Sequence, residues 1–235
     1  MNLLRFMELS YPVEENGPKW PSNPEEKVVY EQEIQKGAPC NASSVFHHMH
    51  NGTHVDAPRH FNPIGMTIDQ IPAEDFYYTA PFVLELPKGK GEKIRLSDLI
   101  NREEEIKNCD ILFFSTGYSE LRERSSKEFT DDFPCFATEA AEYLRRNFPG
   151  LKAVALDFLS VDSSVTGEVD GFPIHHAFLD TGIEKPYRTL LIYEDVNVKK
   201  FRELKCIDEI QWISAFPVRF KGLEASPVSM VACVK

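Results

Sequence analysis

Two apolar runs frame the stretch of sequence that decides the fold: ILFFS at residues 111–115 and AVALDF at residues 153–158. Both runs are short and contain β-branched or aromatic residues, which predicts buried strands. Between them lies a helical segment, 139–147, which Thr138 can cap and which Pro149-Gly150 ends. A strand, a helix and a second strand in this order predict a crossover unit with parallel strands.

Strand signals outnumber helix signals along the rest of the chain. A second helix is predicted from about Asp98 to Lys107, with Ser97 able to cap it. No internal repeat, low-complexity segment or Gly/Ser linker interrupts the chain, so residues 1–235 are expected to form one mixed α/β domain dominated by sheet. The other predicted strands are Lys27–Glu31, Ser43–Met49, Phe82–Leu86, Thr189–Tyr193, Trp212–Phe220 and Met230–Val234.

The composition of the chain excludes several classes of protein. Hydrophobic residues make up 42% and charged residues 27% of the 235 residues, which is close to the globular average and argues against disorder. Lys and Arg number 26 and Asp and Glu 37, giving a formal charge of −11. A chain this acidic, without a basic run, is a poor ligand for phosphate backbones or anionic lipid. We therefore expect a small-molecule substrate and neither nucleic acid nor a membrane as partner.

The five cysteines are scattered singly, and none forms a Cys-x-x-Cys pair. This pattern argues against a disulfide scaffold or a thiolate zinc site and is typical of a reducing compartment. The first residues lack a signal-peptide pattern, and no apolar run approaches the roughly 20 residues of a membrane span. A cytoplasmic location is therefore expected.

Histidine placement carries the most information about function. All seven histidines lie in two short windows, whereas structural histidines are usually scattered along a chain. Imidazole and carboxylate groups together are the ligands that Zn²⁺, Mn²⁺ and Fe²⁺ take when thiolates are absent. The first window holds His47, His48, His50, His54 and His60, and the second holds His175 and His176.

The first window must turn if its side chains are to share one metal ion. Asn, Gly, Thr and Val are poor helix formers, and a straight strand would separate His50 from Asp56 by about 20 Å. Asn51-Gly52 is a strong turn dipeptide, after which His54 and Asp56 can point to one side of an extended segment. His50, His54 and Asp56 can then converge on one ion, leaving His60 as a nearby base that is not a ligand.

Residues 50–61 read HNGTHVDAPRHF, and this stretch resembles the signature His-x-Gly-Thr-His-x-Asp-x-Pro-x-His-Phe of the bacterial kynurenine formamidase and cyclase family. Eight fixed positions at fixed spacing make the motif specific. Further segments resemble the family in the same order along the chain. They are Glu8–Pro12 with Trp20-Pro21, Phe114–Tyr118, Asp157–Asp162, His176–Leu179 and Ile192–Val196.

The resemblance implies a metal-dependent hydrolase of amides and lactones with a swivelling β/β/α fold, assembled as a homodimer or homotetramer. It implies one or two divalent ions per chain, zinc or manganese, with His60 as the acid/base and Trp20 in the substrate pocket. The metal ligands it implies are His50, His54 and Asp56 for one ion, and Asp56, His176 and Glu194 for a second.

The second half of the site leaves two choices open. His175 adjoins His176, so the ligand register is ambiguous by one residue. Eighteen residues separate His176 from Glu194, more than the resemblance leads one to expect. Glu194 follows an apolar run that predicts a buried strand, whereas Glu184 lies in a polar, turn-like stretch. Asp195 should point away from Glu194. We therefore expect Glu194, rather than Glu184 or Asp195, to be the ligand or to orient one.

Hydrolysis of an aryl formamide, N-formylkynurenine to kynurenine and formate, is the first functional hypothesis. A cyclic amide, imide or lactone such as isatin or a dienelactone is the alternative within the family. A catalytically silent metal-binding or small-molecule-binding module is the alternative from another class. The chain has no Gly-x-Ser-x-Gly motif, so a serine hydrolase is not expected.

Overall fold

The structure is a computed structural model that describes residues 4–180 and 187–235. Its centre is a mixed nine-stranded sheet in the order β5-β12-β13-β4-β11-β10-β8-β6, with β1 also paired to β13. The strands of this sheet are β1 (Arg5–Glu8), β4 (His54–Asp56), β5 (Tyr77–Tyr78), β6 (Pro81–Glu85), β8 (Ile111–Ser115), β10 (Ala153–Leu156), β11 (Leu191–Glu194), β12 (Ile210–Pro217) and β13 (Ala225–Val234).

Two pairs of strands lie apart from the main sheet. The strands β2 (Lys27–Gln32) and β3 (Ala42–Phe46) form an antiparallel hairpin. The short strands β7 (Lys93–Ile94) and β9 (Cys135–Phe136) form a parallel pair.

Eight α-helices, most of them short, connect the strands of the described part of the chain. They are α1 (Leu96–Ile100), α2 (Glu103–Ile106), α3 (Glu120–Arg124), α4 (Ser126–Thr130), α5 (Thr138–Asn147), α6 (Gly167–Asp170), α7 (Pro173–Leu179) and α8 (Lys199–Glu203). None of the helices in residues 4–180 and 187–235 has the length and apolarity to cross a bilayer.

The main sheet curls until it almost closes. Its two end strands, β5 and β6, are separated in the chain by only Thr79 and Ala80. Three steps between consecutive Cα atoms span at most about 11 Å, so the two edges of the sheet must lie near each other. The sheet therefore has an inner and an outer face, and a single mixed α/β domain results, as the sequence predicts.

Alternate residues of the central strands pack on opposite faces of the sheet. Leu112 and Phe114 of β8 belong to one core with helix α5, while Ile111 and Phe113 belong to a second core with β12 and β13. Every residue of β8, β10 and β11 is buried, as expected for strands covered on both faces. Because these strands are packed on both faces, the positions of their carboxyl ends are fixed.

The predicted crossover is confirmed, since β8 and β10 are parallel and helix α5 connects them. Helix α5 begins at Thr138 itself, with Ala137 at the cap position. The single helix predicted over Asp98–Lys107 is wrong, because two helices, α1 and α2, lie there. The amide of Arg102 bonds to the carbonyl of Leu99, so the α-helical ladder ends at this point.

Candidate metal centre

The turn and strand that follow β3 place two of the predicted ligands. Gly52 has a positive φ of 64°, which a glycine adopts without strain, and the chain reverses there into β4. The Nδ1 atom of His54 lies 2.9 Å from the carbonyl oxygen of Gly52, which can only accept a hydrogen bond. The proton of the ring is therefore on Nδ1, and Nε2 is left free. His54 and Asp56, two residues apart, face the same side of the strand, as the sequence predicts.

Glu194 lies at the end of β11, directly opposite His54 of β4. Its Oε2 atom is 3.6 Å from His54 Nε2, and its Oε1 atom accepts a hydrogen bond of 2.9 Å from the amide of Val161. Asp195, the next residue, points away and pairs with Arg122 at 2.7 Å. This is the arrangement expected for Glu194 and Asp195. Glu184, the other alternative, lies outside the described residues.

Asp56 is fully buried at the centre of the cluster. Its Oδ1 atom lies 3.0 Å from His50 Nδ1 and 3.4 Å from His54 Nε2. Its Oδ2 atom lies 3.6 Å from His175 Nε2. Asp56 therefore stands between two groups of donor atoms, one on each of its oxygens.

The structure corrects the register of the second histidine window. His175, and not His176, contributes to the cluster, with Nε2 3.6 Å from Asp56 and 3.7 Å from Glu194. Both histidines lie on helix α7, where consecutive side chains point about 100° apart, so only one of them can face the sheet. His176 is exposed and lies 3.7 Å from Asp180, one helical turn further on. The expectation that His176 is a ligand is wrong on this geometry.

Asp162 holds His175 in place, and the sequence analysis assigned this aspartate no role. Its Oδ2 atom accepts a hydrogen bond of 2.6 Å from Nδ1 of the His175 ring and one of 3.0 Å from the His175 amide. Its Oδ1 atom accepts from the amide of Ile174 at 3.1 Å. With Nδ1 directed to a carboxylate, Nε2 of His175 faces Asp56 and Glu194. The only sequence signal was the position of Asp162 in the segment Asp157–Asp162.

His60 lies in a 3₁₀ turn, Pro58–His60, just beyond β4. Its ring stacks on that of His50, with centroids 4.0 Å apart. Burial, opposed by Asp56 and reinforced by His50 and His175, lowers the pKa of His60 to about 3. The imidazole is therefore neutral at physiological pH.

The remaining charges of the cluster compensate one another. Burial disfavours the cations of His50 and His175, but Asp56 raises the pKa of His50 to about 9, and the hydrogen bond to Asp162 and the nearby carboxylate of Asp56 raise that of His175 to about 10. Burial and the nearby Asp56 raise the pKa of Glu194. The buried carboxylates thus require positive charge beside them. Protons on the neighbouring histidines supply this charge here, and a metal cation would also supply it.

The donor atoms fit a divalent metal ion. His54 Nε2 and both oxygens of Asp56 are buried without a hydrogen-bond partner among the described residues. Two ligands about 2.1 Å from one ion in a tetrahedral site lie about 3.4 Å apart, close to the distances in this cluster. Imidazole nitrogens and carboxylate oxygens suit zinc, manganese and other first-row ions. Two groups bring ligand atoms within 4.8 Å of one another: His50, Asp56 and His60, and His54, Asp56 and Glu194.

A pocket of about 380 Å³ opens directly above the cluster. Its floor includes His60, His175 and Glu194, and Trp20 lies in its wall. Trp20 packs against Phe172 with ring centroids 5.9 Å apart, and Phe172 in turn lies 5.5 Å from Phe61. The aromatic wall is typical of a site that binds a planar, apolar molecule.

The backbone of Phe172 is unusual and places its ring in this wall. Its φ of 54° and ψ of 55° lie in the left-handed region, which a bulky residue adopts only at a cost of about 1–3 kcal/mol. Phe172 is the last residue before helix α7, so the same backbone conformation sets the direction of the helix that carries His175. The backbone conformation of Phe172 thus positions both its own ring in the aromatic wall and the helix that carries His175.

Two other histidines of the first window lie around the cluster. Nδ1 of His47 is 3.2 Å from the buried carboxylate of Glu26, and His48 lines the pocket. Nε2 of His50 lies 3.4 Å from Glu224, which follows β12 in the chain. Glu26 and Glu224 could not be predicted from the sequence, because neither belongs to a recognisable motif.

Comparison with known proteins identifies the family. The chain matches the Cyclase family over residues 7–163, about two thirds of its length. It is 35% identical to an uncharacterized protein of Haemophilus influenzae over 109 residues, covering 46% of this chain and 77% of that protein. It is 23% identical to the kynurenine formamidase of Sphingopyxis alaskensis over 229 residues, covering 97% of each chain.

The fold agrees with that of a solved relative. The structure of isatin hydrolase A from Labrenzia aggregata, bound to benzyl benzoate, superimposes with a TM-score of 0.78 at 17% identity, covering 98% of this chain and 94% of the other. The mixed α/β domain with its nearly closed sheet is therefore an architecture found in that enzyme. The signature around His50–Phe61 was the basis for predicting the family, and the prediction is confirmed: this chain belongs to the cyclase family.

Proposed function

We propose that this protein is a metal-dependent hydrolase that cleaves the C–N bond of an aryl formamide of the N-formylkynurenine type. The observation that carries the proposal is the position of the buried histidine–carboxylate cluster at the floor of an aromatic-walled pocket, with His60 beside it. A carbonyl group that reaches the floor would meet both the metal ligands and a neutral imidazole, while its aromatic ring packs along the wall.

The residues that would hold a first ion are His50, His54 and Asp56. Asp56, His175 and Glu194 would hold a second. A divalent ion here would supply Lewis acidity toward the carbonyl and lower the pKa of water to about 7. Zinc and manganese both suit this donor set.

His60 moves the proton that hydrolysis requires. Water adds as hydroxide to the carbonyl carbon, and its proton passes to a ring nitrogen of His60, which is neutral in this environment. His60 then returns the proton to the amide nitrogen as the C–N bond breaks, giving an amine and formic acid, which loses its own proton to solvent and becomes formate. Atoms and protons balance without a covalent enzyme intermediate.

A cyclic amide or imide fused to an aromatic ring is the second candidate substrate. The pocket volume of about 380 Å³ favours it, because a compact bicyclic molecule would be largely enclosed there. The same proton transfer by His60 would open the ring and produce one molecule that carries a carboxylate together with an amine, from a cyclic amide, or with an amide, from a cyclic imide. A catalytically silent binding module is less well supported, since a neutral base next to the ligands serves no purpose in binding alone.

The test is a substrate panel assayed on purified protein loaded separately with Zn²⁺ and Mn²⁺. The panel contains N-formylkynurenine, isatin, a cyclic imide and a lactone, and product formation is followed by absorbance and chromatography. We expect N-formylkynurenine to be hydrolysed and chelation to abolish the activity. Full activity in metal-free protein would contradict the metal dependence. Bound metal without turnover of any substrate would favour the binding module.

A further inference from the structure

The pocket has a buried floor, where histidines and carboxylates lie together, and an exposed rim that carries a carboxylate. His175 and Glu194, on the floor, are each only 4% exposed. Glu168, on the short helix α6, lines the same pocket but is exposed to solvent. A substrate whose carbonyl lies on the floor would therefore place its far end near Glu168.

The carboxylate of Glu168 is held at the edge of the aromatic wall. Nε1 of the Trp20 indole donates a hydrogen bond of 3.1 Å to Oε1 of Glu168. The Trp20 ring is itself fixed by ring contacts with Phe133 at 6.1 Å and Phe172 at 5.9 Å. The negative charge therefore has a defined position next to the surface on which an aromatic substrate would pack.

Glu168 also differs from the other acidic groups of the pocket in having no compensating cation. Glu194 belongs to the histidine–carboxylate cluster, and Glu224 lies 3.4 Å from Nε2 of His50. Among the described residues, neither Lys nor Arg lines the pocket, and Glu168 forms no ion pair. Its partner is the neutral indole of Trp20, so the rim keeps a full negative charge that a ligand would meet.

We propose that Glu168 determines substrate specificity, selecting aromatic molecules whose far end carries an ammonium or other cationic group and disfavouring those with an anion there. The inference rests on the proposed function, because it assumes that the carbonyl occupies the floor and the ring the aromatic wall. Opposite charges near a protein surface attract modestly, and like charges repel by a similar amount. The side chain thus acts on which molecule binds and takes no part in bond cleavage.

Binding measurements with carbonyl probes that cannot be hydrolysed test this inference without relying on turnover. The probes are three acetophenones with a methyl, an aminomethyl or a sulfomethyl group at position 4. Sulfonate serves as the anion because it is a weak metal ligand and does not compete for the floor. Calorimetric titration of the zinc-loaded protein gives the ratio of the dissociation constants of the sulfonate and the ammonium probes.

We expect the wild-type protein to bind the ammonium probe at least threefold more tightly than the sulfonate probe. In Glu168→Gln the amide oxygen can still accept from Trp20, so the wall keeps its position while the charge is lost. The ratio should then fall by a factor of about 2 to 5, the usual effect of one exposed charge. Asp170→Asn removes the same charge from the same helix, outside the pocket lining, and should leave the ratio unchanged.

Two outcomes would overturn the inference. One is a ratio that is the same in Glu168→Gln and the wild-type protein, and the other is an equal fall in Asp170→Asn. Hydrolysis of formanilide, assayed separately on the same preparations, reports on the proposed function. If formanilide is not hydrolysed but the ratio of dissociation constants still depends on Glu168, the proposed function fails and Glu168 remains the specificity residue of a pocket with another reaction. Failure of the inference and failure of the proposed function are therefore distinguishable.

Discussion

His54 and Glu194 are direct cross-strand partners on the antiparallel strands β4 and β11, and Nε2 of the histidine lies 3.6 Å from Oε2 of the glutamate. Each is 4% exposed or less, and the histidine nitrogen has no hydrogen-bond donor or acceptor among the described residues. Such a pair is costly to bury unless a cation lies beside it. The antiparallel pairing of β4 and β11 thus brings these two candidate ligand side chains next to each other.

Replacement of Glu194 by Gln is therefore expected to lower the metal content of the purified protein, its hydrolytic activity, or both, at least tenfold. The amide fills the same space but cannot offer a charged oxygen. Mass spectrometry of the metal content checks the first quantity. Glu85→Gln is a matched control, because Glu85 is an exposed carboxylate at the end of β6. A normal metal content and rate in Glu194→Gln would contradict the assignment.

Replacement of His60 by Ala should leave bound metal in place and reduce the hydrolysis rate by about 10²- to 10⁴-fold, the usual range for loss of a general acid–base group. The expectation follows from its proposed role as the acid/base next to His50, on which its ring stacks. Metal content and the rate constant are measured on one preparation. Loss of the metal would mean that His60 is itself a ligand, together with His50 and Asp56.

The two neighbouring histidines of helix α7 should respond in opposite ways. His175→Ala removes a side chain that faces Asp56 and Glu194, so we expect fewer metal ions per chain and weaker activity. His176→Ala changes an exposed side chain and should alter neither quantity. The reverse result would restore the register first expected from the sequence.

Asp162 is expected to act through His175. Asp162→Asn keeps an oxygen for one of the two backbone amides but removes the carboxylate that fixes the Nδ1 proton. Loss of such a partner typically weakens metal binding by 10- to 100-fold. Titration against a chelator of known affinity measures the change. Thermal unfolding of the metal-free variant is measured as well. A variant that is merely destabilised would unfold at a lower temperature, but its folded fraction would bind metal as tightly as the wild-type protein does.

The pH dependence of stability should contain a contribution from Asp157, which lies away from the metal centre. Burial raises the pKa of Asp157 to about 6, although hydrogen bonds from Thr116 and Gly117 favour the carboxylate. The folded pKa lies above the unfolded value of about 4, so the stabilisation is complete below pH 4 and is lost as the pH rises through 6.

Unfolding in urea between pH 4 and 7 measures this contribution. The free energy of unfolding of the wild-type protein, relative to Asp157→Asn, should fall by about 2 kcal/mol over that range. Since the variant retains every other titrating group, the difference between the two proteins isolates Asp157. A difference that does not change with pH would contradict the raised pKa.

Features that depend on local residue patterns could be predicted from the sequence. The crossover of β8, α5 and β10 follows from two apolar runs and the helical segment between them, and the turn at Asn51-Gly52 follows from its dipeptide. The place of Glu194 follows from the buried run before it. Each of these signals lies within a dozen residues, where periodicity and turn propensity decide the conformation.

Features that depend on distant contacts could not be predicted. The strands β5, β7 and β9 have two residues each, too few to show a period, and they form because neighbouring strands offer free backbone groups. The register of the second histidine window depends on helix α7, which begins after the left-handed residue Phe172. Asp162 had no recognisable role until the fold placed it against His175.

The cluster and the rim of the pocket are built from different parts of the chain, and this separation bears on how the family can evolve. His54, Asp56 and Glu194 stand on buried strands in the middle of the sheet. Trp20 and Glu168 stand on a loop and a four-residue helix at the surface, where replacement disturbs little of the core. Mutations at the rim can therefore change which molecules bind in the pocket while the histidine–carboxylate cluster stays the same. Relatives that share this fold are expected to differ in substrate for this reason.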